Sequence, residues 1–133
     1  MRYLIDTNIC IYIMNQRPKA VIEKCRQCQP GDIGISTVTV SELRYGVAKS
    51  SRPEENAARL GAFLAPFIIL AYDDAAAGVY GDVRFYLEKQ GRPIGPLDMM
   101  IAAHAMSLNA TLVTNNEKEF RRIKTLKVEN WAF

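Results

Sequence analysis

Six residues into the chain, Tyr3, Leu4 and Ile5 run straight into an acid, Asp6, and then into small polar Thr7 and Asn8 before apolar Ile9, Cys10, Ile11 and Ile13. An unbroken apolar run this short reads as a strand covered on both faces, the way strands of parallel sheets are built. The polar step and the resumed apolar spacing read as a sharp stop and a helix over Thr7 to Met14. In open α/β sheets chemistry gathers at the carboxyl ends of the strands, and Asp6 stands at such an end. Capping of the following helix explains Asp6 or Thr7 equally well. On this stretch alone the two readings are even, and the rest of the chain decides.

The same alternation repeats. Pro18 suits the first turn of a helix running to about Gln27, and Pro30-Gly31 breaks it. Ile33-Gly34-Ile35 gives a second strand. Ser36 and Thr37 then cap a helix from about Val38 to Lys49, with Val40, Leu43 and Val47 at core spacing. A helix opened near Pro53 runs to Leu64, and Phe67 to Ala71 is a third strand. Asp73 or Asp74 opens a long helix that stops at Gly91, with Val79, Val83 and Phe85 assigned to the core. A loop fixed by Gly91, Pro93, Gly95 and Pro96 leads into a helix from about Leu97 to Leu108. Ala110 to Val113 is the fourth strand, followed by Thr114-Asn115-Asn116, a helical turn over Glu117 to Phe120 and a short strand around Val128. Strand–helix alternation predicts one α/β domain over residues 1–133, with a central, mostly parallel sheet flanked by helices. The 133 residues suffice for a core.

Composition narrows the function classes. Hydrophobic residues are 49% and charged residues 23%, an ordinary globular balance. A net charge of +3 does not by itself argue nucleic-acid binding, though phosphate attraction needs only a local patch. The longest apolar run, Phe63 to Tyr72, is broken by Pro66 and too short to span a bilayer, and no signal peptide fits before Asp6. A cytoplasmic protein is the expectation. Three cysteines argue against a disulfide framework. Cys25 and Cys28 have no second pair or histidine cluster to complete a zinc site, and Cys10 reads as a small core residue. His104, the sole histidine, has no partner in sequence and reads as structural or exposed.

Four further positions share the edge that Asp6 occupies. Glu42, the only acid between Ile33 and Lys49, falls within two turns of a strand end. Asp98 heads a helix face completed by Ile101, Ala102 and Ala105, an odd place for an acid if capping were its whole role. Asn116 closes the fourth strand, and Glu119 lies one turn on. Carboxylates brought together raise one another's pKa unless a cation lies between them. Hard oxygen ligands suit Mg²⁺ or Mn²⁺, and such an ion activates water and steadies an in-line phosphoryl displacement. Arg121, Arg122, Lys124 and Lys127 read as a basic cluster near that edge, able to hold flanking phosphates. No serine or cysteine nucleophile with a histidine base is evident, which leaves water as the attacker.

The residues carrying this pattern are Leu4-Ile5-Asp6-Thr7-Asn8, Ser41-Glu42-Leu43 with Tyr45-Gly46, Gly95-Pro96-Leu97-Asp98 with Ile101-Ala102, and Thr114-Asn115-Asn116 with Glu119-Phe120. Through them the chain resembles, over its full length, the PIN-domain ribonucleases and specifically the VapC-type toxins of bacterial toxin–antitoxin pairs. The resemblance implies a three-layer PIN-like fold, with Asp6, Glu42 and Asp98 as metal-binding acids. It also implies Mg²⁺- or Mn²⁺-dependent endonuclease cleavage of RNA, often tRNA, leaving a 5′-phosphate and stopping translation. A homodimer held inactive by a VapB-type antitoxin is implied as well, with the antitoxin tail able to push a basic side chain into the acidic pocket. Many members carry an aspartate where this chain has Asn116, so Glu119 is a candidate fourth carboxylate. Thr7, Asn8 and Thr114 could orient acids or water, or simply cap and turn. Two other readings stay open: a PIN-like interaction module with a degenerate pocket, and an aspartyl-phosphate phosphohydrolase. The latter chemistry wants an acid where Asn8 stands.

Overall fold

In the computed structural model, residues 1–132 are described. The elements run β1 (Tyr3–Ile5), α1 (Thr7–Met14), α2 (Lys19–Arg26), β2 (Ile33–Ser36), α3 (Thr37–Ala48), α4 (Pro53–Leu64), β3 (Ile68–Leu70), α5 (Asp74–Lys89), α6 (Pro96–Ser107), β4 (Thr111–Val113), α7 (Glu117–Phe120) and β5 (Val128–Glu129). The strands form one sheet in the order β3-β2-β1-β4-β5, and every described pairing is parallel. The expected mostly parallel sheet is thus parallel throughout its described strands.

Side-chain alternation along the short strands splits the core into two layers. Leu4 and Leu112 face α5 and α6, where Leu87, Ile101, Ala102 and Ala105 bury them. Tyr3, Ile5, Ile33, Ile35 and Val113 face the other way, onto Ile9, Val21, Leu43 and Leu60 from α1, α2, α3 and α4. The Trp131 ring closes that side, edge-on to Tyr3 at 5.1 Å. A sheet with helices on both faces is the three-layer arrangement the resemblance implies.

The strand order places the site. From β1 the chain moves to one side through β2 and β3, then returns to the other side of β1 with β4. The order reverses between β1 and β4, and a crevice opens at such a switch, outside the carboxyl ends of the strands. Ile5 pairs with Val113 there, so Asp6 and Thr114 leave neighbouring strands side by side.

One packing expectation changes, and the choice left open for His104, structural or exposed, is decided. Phe85 is 69% exposed rather than in the core. On α5 the buried positions are Ala76, Val83 and Leu87, and Phe85, two residues past Val83, lies about 200° around the helix from it. His104 is buried, at 1% exposure. Cys10 is buried as expected, and Cys25 and Cys28 are half-buried free thiols.

Candidate active site

Asp6 does both things its sequence position allowed. Its Oδ1 accepts from the Ile9 N–H at 3.0 Å and so caps α1, while only 5% of the residue is exposed. Burial first, then the charges of Asp98 and Glu42, push its carboxyl up to about 6, against the pull of the Thr114 hydroxyl and the Ile9 N–H. Desolvation and like charge both disfavour the ionised form.

Glu42 projects from α3, where its Oε1 accepts from the Thr7 hydroxyl at 2.8 Å. That bond ties the first turn of α1 to the second turn of α3. Asp98 lies in the first turn of α6. Its pKa is raised by burial and then by the charges of Glu42 and Glu119. Asn116 takes its place from β4: its N–H donates to Thr114 Oγ1 at 2.9 Å, and its Nδ2 donates to Glu119 Oε2 at 3.1 Å. The amide therefore adds no charge of its own but aims the carboxylate of α7. All five residues singled out in the sequence lie at this edge, where the charges of Asp98 and Glu42 bear on Asp6 and those of Glu42 and Glu119 bear on Asp98.

Among the described residues, none of these four acids is ion-paired: the pairs there are Lys19–Glu23, Arg52–Glu55, Arg84–Glu88 and Arg121–Glu117. Among the described residues, no three His, Cys, Asp or Glu side chains are already drawn together into a complete ligand set. The donors are nevertheless all oxygens, and none of these acids is ion-paired among the described residues. That is the chemistry a hard divalent cation satisfies.

The basic cluster read from the sequence does not form. Arg121 pairs with Glu117, and Arg122 Nη1 donates to the Pro93 carbonyl at 3.0 Å. Lys124 lines a separate cleft with Asp82 and Tyr86. Lys127 precedes β5, at the amino edge of the sheet, and its Nζ bonds Asn109 Oδ1 at 2.9 Å. The turns between α7 and β5 send successive side chains in different directions. Sequence reasoning instead missed Arg59 of α4. It shares a groove with Thr7 and Glu42 and donates to the Met14 carbonyl at 3.0 Å and to Asn15 Oδ1 at 3.2 Å. A polar chain along the rim, Asn130 to Asn115 at 3.3 Å and Asn115 to the Tyr12 hydroxyl at 2.8 Å, was also invisible.

A parallel sheet with this switch point and this acidic edge defines a class: residues 3–126 match the family model for the PIN domain, and the chain belongs to that family, among its VapC-type ribonucleases. It is 44% identical to the tRNA(fMet)-specific endonuclease VapC of Shigella flexneri over 132 residues, 99% of each chain. It is 42% identical to ribonuclease VapC2 of Rickettsia felis over 98% of each chain. Among solved structures, the DNA-bound VapBC complex of Salmonella typhimurium superposes with a TM-score of 0.93 at 38% identity, covering 98% of both chains.

Proposed function

We propose that this chain is the toxin of a VapBC-type pair, a Mg²⁺- or Mn²⁺-dependent endoribonuclease that hydrolyses RNA of the tRNA class and so stops translation in the cytoplasm. The observation that carries this reading is the gathering of Asp6, Glu42, Asp98 and Glu119 from four separate elements at one edge of the sheet, with no ion pair to any of them among the described residues. The full-length relatives named as ribonucleases support it.

Asp6, Glu42 and Asp98 would hold the ion. When bound, it supplies Lewis acidity toward a phosphoryl oxygen and lowers the pKa of water. The chain's own groups do the positioning. Thr7 fixes one oxygen of Glu42 and leaves the other free. Asn116 occupies Oε2 of Glu119, so Oε1 remains to take a proton from an attacking water. The Ile9 N–H holds the Asp6 carboxyl in one orientation, and the Thr114 hydroxyl favours its charged form. Because Asn116 works through Glu119, its lack of charge does not weigh toward a degenerate, non-catalytic module. The phosphohydrolase reading is weakest, since Asn8 is exposed and carries no acid.

The groove beside Glu42 is walled by Ile11, Met14, Leu43, Val47 and Leu60. An antitoxin segment would lie there with apolar side chains on the walls and a basic one toward Glu42. No described helix is long and apolar enough to cross a membrane. The test is incubation of the antitoxin-free protein, whose expected dimer is checked by sedimentation, with total tRNA with and without Mg²⁺. Metal-dependent cutting, lost in folded Asp6→Asn and Asp98→Asn, is the expected result. RNA left whole would make the chain a binding module, and phosphate released from small esters would make it a phosphohydrolase.

A further inference from the structure

His104 is the chain's one histidine, it is buried on α6, and the chemistry above makes no use of it. Its Nδ1 lies 2.8 Å from the Ser36 hydroxyl oxygen. Ser36 is fully buried at the end of β2, where it caps α3: its Oγ accepts from the Val38 N–H at 3.1 Å. These contacts settle the direction of the bond. Among the described residues the Ser36 hydroxyl proton has no acceptor other than the imidazole. If Nδ1 carried a proton, Ser36 would accept twice and its own O–H would be buried without a partner. His104 is therefore neutral, with the proton on Nε2 and Nδ1 accepting.

The neighbours agree with this state. The Ala71 carbonyl, in the connection from β3 to α5, lies near enough to the ring to favour a proton on it. The Tyr72 ring stands edge-on to the imidazole at 5.6 Å. Burial pushes the imidazole pKa down, partly offset by the charge of Asp73 and by the Ala71 carbonyl. Tyr72 in turn gives its N–H to Thr37 Oγ1 at 3.0 Å, a second tie to the start of α3.

Among the described residues, the His104–Ser36 bond is the only side-chain hydrogen bond that α6 makes to another element. Asp98 lies six residues before His104 on α6, and Glu42 lies six residues after Ser36 on the segment that becomes α3. Equal lengths of helix, about 9 Å each, lead from this clasp to the two acids. At the far end the charges of Asp98 and Glu42 act on each other. The two helices thus meet twice, attractively at the clasp and repulsively at the acids. A shift of α6 along α3 would move Asp98 relative to Glu42.

We propose that His104 is a positioning residue of the active site: by accepting from Ser36 it fixes α6 against the amino end of α3 and so sets the separation of Asp98 from Glu42. The proposal rests on the reading of those two acids as ion-holding groups. It differs from a packing role, which any apolar side chain of similar size would fill.

Two measurements test it, both on protein without RNA and without a polyhistidine tag. The first is the ¹⁵N NMR spectrum of the imidazole, unambiguous with one histidine. A neutral Nε2–H tautomer at pH 7 is expected, and an Nδ1–H tautomer or an imidazolium overturns the proposal. The second is Mn²⁺ affinity, read as free Mn²⁺ by electron paramagnetic resonance. His104→Leu and Ser36→Ala should each weaken binding about tenfold, the lower end for groups that orient ligands. The double variant should lose little more than either single one. His104→Asn, which keeps an acceptor near the Nδ1 position, should retain most of the affinity. A folded His104→Leu that binds Mn²⁺ like the wild type overturns the proposal. If His104→Leu does not fold, the tautomer and His104→Asn decide, since a folded His104→Asn as weak as Ser36→Ala also overturns it. Asp98→Asn run alongside separates the two layers. Wild-type Mn²⁺ affinity there would sink the reading of the acids, and the proposal with it. Lost affinity in Asp98→Asn with none lost in His104→Leu would sink the positioning role alone.

Discussion

Asp6 carries two demands that conflict in free energy. As a cap it needs only an acceptor oxygen, and the Ile9 N–H bond supplies that use. As a member of the acidic group it must be ionised while buried, and its carboxyl is held at about 6 instead of the model-peptide 3.8. A raised carboxyl binds its proton more tightly in the folded chain than in the unfolded one. Its contribution therefore favours folding fully below pH 3.8 and is lost as pH rises through about 6. Two pKa units correspond to about 3 kcal/mol at neutral pH. Asparagine caps as well as aspartate and carries no charge. In metal-free buffer, Asp6→Asn should be more stable than the wild type by about 1–3 kcal/mol at pH 7.5 and equal to it near pH 4, read from urea denaturation. His104 titrates in both proteins and drops out of the difference. The same variant should not cut RNA. Equal stability of the two proteins at both pH values would show that Asp6 is not held against its charge.

At this scale the places of Asp6 and Asp98 at a strand end and a helix start, and of Glu42 two turns past a strand end, were legible locally. No single stretch told an ion-holding acid from a cap or a solvated side chain, and their proposed role came from taking them together and from the resemblance. Thr7 was legible as a neighbour of Asp6, though not as the donor to Glu42, 35 residues away. The contact of Asn115 with Tyr12 spans 103 residues and depends on how two strand–helix turns lie side by side. No local pattern encodes that. His104 was unreadable for the same reason, its partner being 68 residues distant.

At the scale of elements, α1 and α6 present the acids differently. α1 is short, and its first turn reaches α3 through Thr7 and Glu42. Thr7→Val keeps the shape and removes the donor. RNA cleavage should fall about tenfold, while stability should change by no more than about 1 kcal/mol. Unchanged cleavage rates would mean Glu42 needs no such anchor. α6 is held by close approach, since Ala102, Ala103 and Ala105 are essentially fully buried. Ala102→Leu forces side chain into a filled space and should cost about 1–3 kcal/mol, measured by urea denaturation. A neutral result would show slack between α6 and its neighbours. The helices were legible in the sequence through caps and breakers. Phe85 was misplaced because a hydrophobic residue on an exposed face carries no label of its own. The basic residues from Arg121 to Lys127 were misjudged because nearness in sequence does not put side chains on one face across turns.

The whole molecule sets how these pieces answer to an ion. Alternation of strands and helices foretold a parallel sheet, but most strands are only two or three residues long. Such strands say little about which neighbours pair, so the reversal between β1 and β4 that opens the crevice appears only in three dimensions. It gathers four acids at one edge of a chain whose net charge is +3, and like charge there disfavours keeping all of them ionised. An ion that binds only the folded chain stabilises it by RT ln(1 + [L]/Kd), about 2.7 kcal/mol at one hundred times Kd. For a chain of this size that is a rise in Tm of about 8–12 °C. Mn²⁺ should produce this rise at pH 7.5, and NaCl at equal ionic strength should not. Because the ion competes with the proton that Asp6 binds at about pH 6, the rise should shrink as pH falls from 7.5 to 5. Asp98→Asn should show little of it at any pH. An equal Tm rise in wild type and Asp98→Asn would place the ion elsewhere on the surface, and a pH-independent rise in the wild type would separate its binding from Asp6.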